Sequence, residues 1–160
     1  MNARTVSVSE GPRLARSLVV GPHTLTADEP RPVGTDTGPT PGELLLAALG
    51  ACTSMTVRAY ADRHGWHLDQ VDVAARFDPQ GQIVKNIRLT GELEPAHIRQ
   101  LLAVAGRCPV HRLVTSGATV VTVPTVAARP RGRTSSSSLP SDGADQRTAG
   151  SPQEGVRPDV

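Results

Sequence analysis

Aromatic side chains are nearly missing from this chain: Tyr60, Trp66 and Phe77 are the only three in 160 residues. The core must therefore be assembled from Leu, Val, Ile and Ala. A large aliphatic side chain contributes roughly 1.5–3 kcal/mol only when fully buried, so most of them must be inside. So thin a supply favours burial across a subunit interface. Long apolar runs are missing too. The longest, Leu44 to Ala51, falls well short of the ~20 residues that span a bilayer, and Met1–Glu10 has no continuous apolar segment of the signal-peptide kind. Neither sign of charge dominates. A formal net charge of +2 with dispersed basic residues excludes a nucleic-acid footprint. Cysteine is scarce: Cys52 and Cys108 are the only two, too few for a disulfide scaffold. A cytoplasmic location is expected, with no membrane or nucleic-acid partner. In that reducing compartment two thiols are more often reactive or plain than a permanent staple.

What is present reads as one α+β domain over residues 4–126. Val6 and Val8 alternate with polar residues, Gly11-Pro12 and Gly21-Pro22 mark turns, and Leu14–Val20 and His23–Ala27 follow. Three strands joined by tight turns predict an N-terminal antiparallel meander. Residues 28–38 carry no periodicity and read as a loop. Its Gly34-Thr-Asp-Thr-Gly38 lacks the lysine and buried strand of a phosphate loop. Thr40-Pro41-Gly42-Glu43 is a helix start, with Thr40 as cap, Pro41 at the first position and Glu43 closing a capping box. The helix is expected to run to about Arg63, stopped by Gly65, and to be buried on every side, since Leu44–Ala51 is apolar all round. Val71–Phe77 and Ile83–Leu93 form a second antiparallel pair around Pro79-Gln-Gly81. A second helix starts at Glu94-Pro95 and ends at Gly106, a short third begins at Cys108-Pro109, and Ala118–Val126 reads as a final strand. Residues 127–160, rich in Ser, Pro, Gly and Asp, bury too little to offset chain entropy and are expected to be a disordered tail.

Chemistry concentrates on the thiols. Cys52 lies within the apolar helix, where a free thiol often acts as a small core hydrophobe. Cys108 occupies a helix N-cap, where free N–H groups and the helix dipole favour a thiolate, and a protonated His111 would add to that. A zinc site from Cys52, Cys108, His111 and a distant His23 or His67 lacks paired ligand spacing, so no metal is expected. Glu43 precedes Cys52 by nine residues, ~13–14 Å of helix rise, so the two share a site only if a long side chain bridges them. Arg13 and Arg16 on the N-terminal strands are candidates for that bridge. His64 and His67, flanking Trp66, read as surface loop residues, and His97 as an exposed helix position.

Gly38-Pro-Thr-Pro-Gly-Glu-Leu-Leu-Leu-Ala-Ala-Leu-Gly-Ala-Cys-Thr-Ser-Met55, followed by Cys108-Pro-Val-His111, resembles the OsmC/Ohr family of osmotically inducible and organic-hydroperoxide-resistance proteins. The likeness covers roughly residues 5–125. It implies an intertwined homodimer in which long central helices are wrapped by sheets of both subunits, with active sites at the interface. It further implies a thiol peroxidase that takes an organic hydroperoxide (or hydrogen peroxide) and is reset by a dithiol reductant, without cofactor. Cys52 would be the peroxidatic thiol and Cys108 the resolving one, joined as a disulfide in turnover. Glu43 would hold an arginine, Arg16 or else Arg13, against the reactive sulfur. Gly42 stands where the well-studied peroxidases have their glutamate, and His111 ends the second motif, so the likeness is nearer to the OsmC-like branch. The competing expectation is a non-enzymatic dimer that binds an apolar ligand or senses redox state.

Overall fold

The computed structural model describes residues 4–125. Its elements are β1 (Val6–Glu10), β2 (Arg16–Val20), β3 (His23–Ala27), α1 (Pro41–His64), β4 (His67–Phe77), β5 (Ile83–Glu92), α2 (Pro95–Ala105) and α3 (Pro109–Ser116). The result is an α+β chain with an antiparallel β1-β2-β3 sheet, a long helix and an antiparallel β4-β5 pair. The expected tail lies outside the described residues. The dimer is a property of more than one chain and is taken up below.

The meander forms as its turn residues require. Val6 pairs with Val20 and Arg16 with Ala27. The second strand starts two residues later than its apolar pattern suggests, because Gly11 to Ala15 closes a tight turn with Arg13 at φ 53°. The next loop is tied by one buried carboxylate. Asp28 accepts from the N–H of Glu29 at 2.8 Å, from the N–H and hydroxyl of Thr35 at 3.0 and 2.6 Å, and from those of Thr37 at 3.1 and 2.9 Å. The Thr35 hydroxyl bond leads in holding the Asp28 carboxyl below its ordinary value. Burial opposes it, and the N–H bonds of Thr37 and Glu29 add to it. Residues 34–38 are thus a structural knot that delivers the chain from β3 to α1.

At α1 the capping box is complete. Thr40 Oγ1 accepts from the Glu43 N–H at 3.2 Å, and Glu43 Oε2 accepts from the Thr40 N–H at 2.8 Å. Gly65, at φ 65°, ends the helix. By length and composition alone α1 also suits a membrane span. One stripe of it is a protein core: Leu49, Thr53, Val57 and Ala61, spaced every four residues, are the buried positions. This corrects the expectation of burial on every side. Around that stripe Leu45 is 41% and Met55 71% exposed in the single chain. The β1-β2-β3 sheet likewise leaves Val6, Val8, Val19 and Leu25 exposed.

The second sheet supplies the floor. Val57, Ala61, Leu68, Leu101 and Ala105 form the buried cluster, with Tyr60, Trp66, Val71, Ile87, Leu89 and Leu93 packed around it. β4 begins four residues earlier than its alternation shows. A bulge between Leu68 and Gln70 throws the pattern out of phase there. Arg58 donates to the carbonyls of Leu68 and Asp69, pinning the bulge to α1. Across from it Gly91 sits at φ 147°, where an added Cβ would strike the His67 carbonyl.

The final strand expected at Ala118–Val126 is absent: residues 117–125 carry no regular structure, and Val126 lies outside the described residues. Val120 and Val121 are 85% and 78% exposed. β-branched residues favour a strand only where another edge can accept their backbone groups, and among the described residues no strand pairs with this segment.

Two stability outcomes follow. Leu101→Ala, at a fully buried position, should lower the unfolding free energy by about 2–5 kcal/mol, read by urea titration. Asp28 has a depressed folded-state pKa. Its stabilisation is therefore fully present above the unfolded value of 3.8 and is lost as pH falls below it. Thermal midpoints taken from about pH 4 down to about pH 2 should fall more steeply for the wild type than for Asp28→Asn, whose midpoint is already lower at neutral pH.

Candidate active site

Cys52 stands near the middle of α1, half-buried, one residue from the core-facing Thr53. With Ala48, Ala51, Met55, Thr56, Ala59, Arg63 and Pro109 it lines an open, largely apolar cavity of about 510 Å3. Thr56 Oγ1 donates to the Cys52 carbonyl at 2.7 Å. The Cys52 side chain thus faces a space that a small molecule can enter.

Cys108 is fully buried and caps α3, its Sγ accepting from the His111 N–H at 3.3 Å. Pro109 fits the first helical position, so Cys108-Pro-Val-His111 is a cap whose acceptor is sulfur. Thr53 Oγ1 lies 3.6 Å from the same sulfur. Both thiols are free, and they lie in one neighbourhood, since Cys52 and the Pro109 that follows Cys108 line the same cavity.

A lysine completes the group. Lys85, half-buried on β5, places Nζ 3.2 Å from Thr53 Oγ1, 3.1 Å from the Ala105 carbonyl and 3.3 Å from His111 Nδ1. Burying a cation costs several kcal/mol unless its donors are satisfied, and here each of the three N–H groups has an acceptor. The directions of the bonds then follow. The ammonium has no lone pair, so it is the donor in the contact with His111 Nδ1. Thr53 Oγ1 accepts from the ammonium and keeps a proton that it can donate to a Cys108 thiolate. Burial pushes the Cys108 thiol up. The Thr53 hydroxyl, the His111 N–H, the Cys52 thiol and the charge of Lys85 together outweigh it, and the net effect lies below the ordinary value of 9.0.

The other expected site residues lie apart from the thiols. Glu43 Oε2 is occupied by the Thr40 N–H and hydroxyl, and these bonds hold its carboxyl below the usual value. Arg16 donates to the carbonyls of Ala15 and Arg13 and pairs with Glu10 at 3.6 Å. It reaches the start of α1, where it lines a cleft of about 220 Å3 with Asp28, Glu29 and Pro41. Arg13 donates to the carbonyls of Pro32 and Val33. No hydrogen bond or ion pair joins either arginine to Glu43, Cys52 or Cys108 within the chain. His97 is half-buried rather than exposed, with its ring stacked on Trp66 at 4.1 Å. His64 stacks on Tyr60, also at 4.1 Å. Among the described residues no group of three His, Cys, Asp or Glu side chains is placed to hold a metal.

Lys85 and Thr53 are the site residues that motif reading missed. Their signal is a polar residue on an apolar face. Ile83, Lys85, Ile87 and Leu89 share one side of β5, and Thr53 interrupts the stripe Leu49, Val57, Ala61.

A family model described as OsmC-like protein matches residues 34–123. Among solved structures, an OsmC-like protein of Mycoplasma pneumoniae is 18% identical over 72% of this chain and 89% of its own, with a TM-score of 0.61. The organic hydroperoxide resistance protein OsmC of Legionella pneumophila is 20% identical over 71% of this chain and 90% of its own, with a TM-score of 0.51. At these identities what is shared is the fold. No curated protein matches the chain.

The lowered pKa of Cys108 is directly measurable. In a Cys52→Ser background, thiolate absorbance near 240 nm should show the remaining thiol titrating below 9.0. Lys85→Met should move the transition upward, because removal of the ammonium leaves burial less opposed.

Proposed function

The chain belongs to the OsmC-like protein family, and from that membership we propose that it is a homodimeric, cysteine-based thiol peroxidase that reduces organic hydroperoxides. The observation that carries this reading is the convergence of the chain's two cysteines. Cys52 opens on an apolar cavity, and Cys108 is held beside it at the cap of α3.

In the proposed cycle the Cys52 thiolate attacks the outer oxygen of the hydroperoxide. The O–O bond breaks, the alkoxide takes a proton and leaves as an alcohol, and Cys52 becomes a sulfenic acid. The Cys108 thiolate then attacks Cys52 Sγ, water leaves, and a disulfide forms. A cellular dithiol supplies the two electrons that restore both thiols, which suits a cytoplasmic setting. Sulfur carries every electron, so the cycle calls on no metal or flavin. The apolar walls from Ala48, Ala51, Met55 and Ala59 favour an organic peroxide over hydrogen peroxide.

A second copy of the chain supports the reading. It would cover Leu45 and the exposed valines of the N-terminal sheet, which one chain leaves in water. Arg16 and Glu43 have other partners within one chain. Their proposed roles, a guanidinium on the Cys52 thiolate and a carboxylate that orients it, therefore belong to the assembled dimer. The apolar cavity also favours a non-enzymatic reading, in which the dimer binds an apolar ligand and the thiols only report redox state. The two readings differ in what stoichiometric peroxide does to the thiols.

With dithiothreitol as reductant, Cys52→Ser should lose consumption of cumene hydroperoxide. Cys108→Ser should complete a single turnover and accumulate a sulfenic acid that dimedone traps on Cys52. Consumption by Cys52→Ser at the wild-type rate would exclude the catalytic role. Failure of stoichiometric peroxide to form a disulfide, read by intact mass, would favour the ligand-binding reading. Sedimentation should give twice the chain mass.

A further inference from the structure

Lys85, Thr53 and His111 are arranged around only one of the two sulfurs. Two of the cluster's polar contacts end on Cys108, and the lysine stands behind them. Thr53 Oγ1 and the His111 N–H reach its sulfur, while Lys85 orders both Thr53 and His111. Cys52 receives none of these bonds and borders open space instead. When the two sulfurs form one disulfide, its ends are therefore unlike. One is accessible, and the other is sealed beneath a donor set suited to negative charge.

We propose that Lys85, acting through Thr53, directs the reduction of the Cys52–Cys108 disulfide, so that an incoming thiol attacks Cys52 and Cys108 is the sulfur that leaves. In this step a reductant thiolate attacks Cys52 Sγ, the Sγ–Sγ bond breaks, and its electron pair passes to Cys108 Sγ. The product thiolate is received by the Thr53 hydroxyl and the His111 N–H, with the Lys85 ammonium behind them. The second thiol of the dithiol then attacks the reductant's sulfur in the mixed disulfide. This releases Cys52 as a thiolate and leaves the reductant as a disulfide, and the two protons lost by the dithiol are available to the two protein thiols. Exchange is faster when the departing sulfur is the better-stabilised thiolate, and it requires a line of approach to the attacked sulfur. Cys52 meets the access requirement, and Cys108, at 0% exposure, meets only the leaving requirement. The lowered pKa of Cys108 points the same way. Lys85 and Thr53 are positioning residues here, since neither touches the reductant.

This inference rests on the disulfide of the proposed cycle but not on peroxide reduction, and its test avoids peroxide. The full-length protein is oxidised with diamide, exposed briefly to glutathione and quenched with acid, and the glutathione adduct is located by peptide mass spectrometry. The adduct is expected on Cys52 in at least about tenfold excess over Cys108. Lys85→Met and Thr53→Val should each slow adduct formation by about tenfold, while Thr53→Ser, which keeps the hydroxyl, retains the wild-type rate. A purely structural role would instead lower thermal stability and leave the rate and the partition alone. Adduct on Cys108, equal rates in wild type and both Lys85→Met and Thr53→Val, or failure of diamide to join the two cysteines would overturn the proposal. A protein that passes this test but does not consume cumene hydroperoxide would refute the peroxidase reading alone.

Discussion

One threonine hydroxyl joins the parts of the site. Thr53 belongs to the buried stripe of α1, accepts from a lysine on β5 and faces the sulfur that caps α3. Three elements distant in sequence are registered by its two contacts. Neither contact is strong by itself. Their force comes from burial, where an unsatisfied ammonium or hydroxyl would cost more than either bond contributes. The cluster is complete in this sense: Lys85 uses three donors on three acceptors, and no buried side-chain polar atom among the described residues lacks a partner.

The rest of the architecture serves to hold that point still. Asp28 ties the loop after β3 so that α1 begins at Thr40, and the capping box sets the first turn. Arg58 locks α1 to the bulge of β4, which sets the register that carries Lys85 inward on β5. α2 adds the Ala105 carbonyl, without which one lysine donor would be stranded. Cys52 alone is left facing out of this frame. In the proposed exchange, that asymmetry between two sulfurs of one chain gives the site its direction.

Much of the frame was legible in the sequence because it is written in local chemistry. The Thr40–Glu43 box, Gly65, Pro95 and the Cys108-Pro109 start each act within one turn of chain, and each helix begins and ends beside them. The meander was legible for the same reason, through Gly-Pro turns. Misreadings came where the outcome depended on a distant partner. The start of β4 was hidden by a bulge, and the valines after Ala118 have strand propensity but pair with no strand among the described residues. Apolarity all round α1 suggested complete burial, and a single chain supplies neighbours for one stripe only.

The sequence by itself singled out the candidate residues, two cysteines in distinct local settings, because residue identity and helix-cap geometry need no long-range information. It could not determine which cation attends them. Arginines on the N-terminal strands and a lysine on β5 are equivalent as letters. Only tertiary packing, by turning the Ile83–Leu89 face of β5 toward α1, brought Lys85 and not Arg16 within reach of Thr53 in the single chain. The physical reason is that a charge acts on a sulfur through a few ångströms of low-dielectric space, and sequence separation does not set that distance.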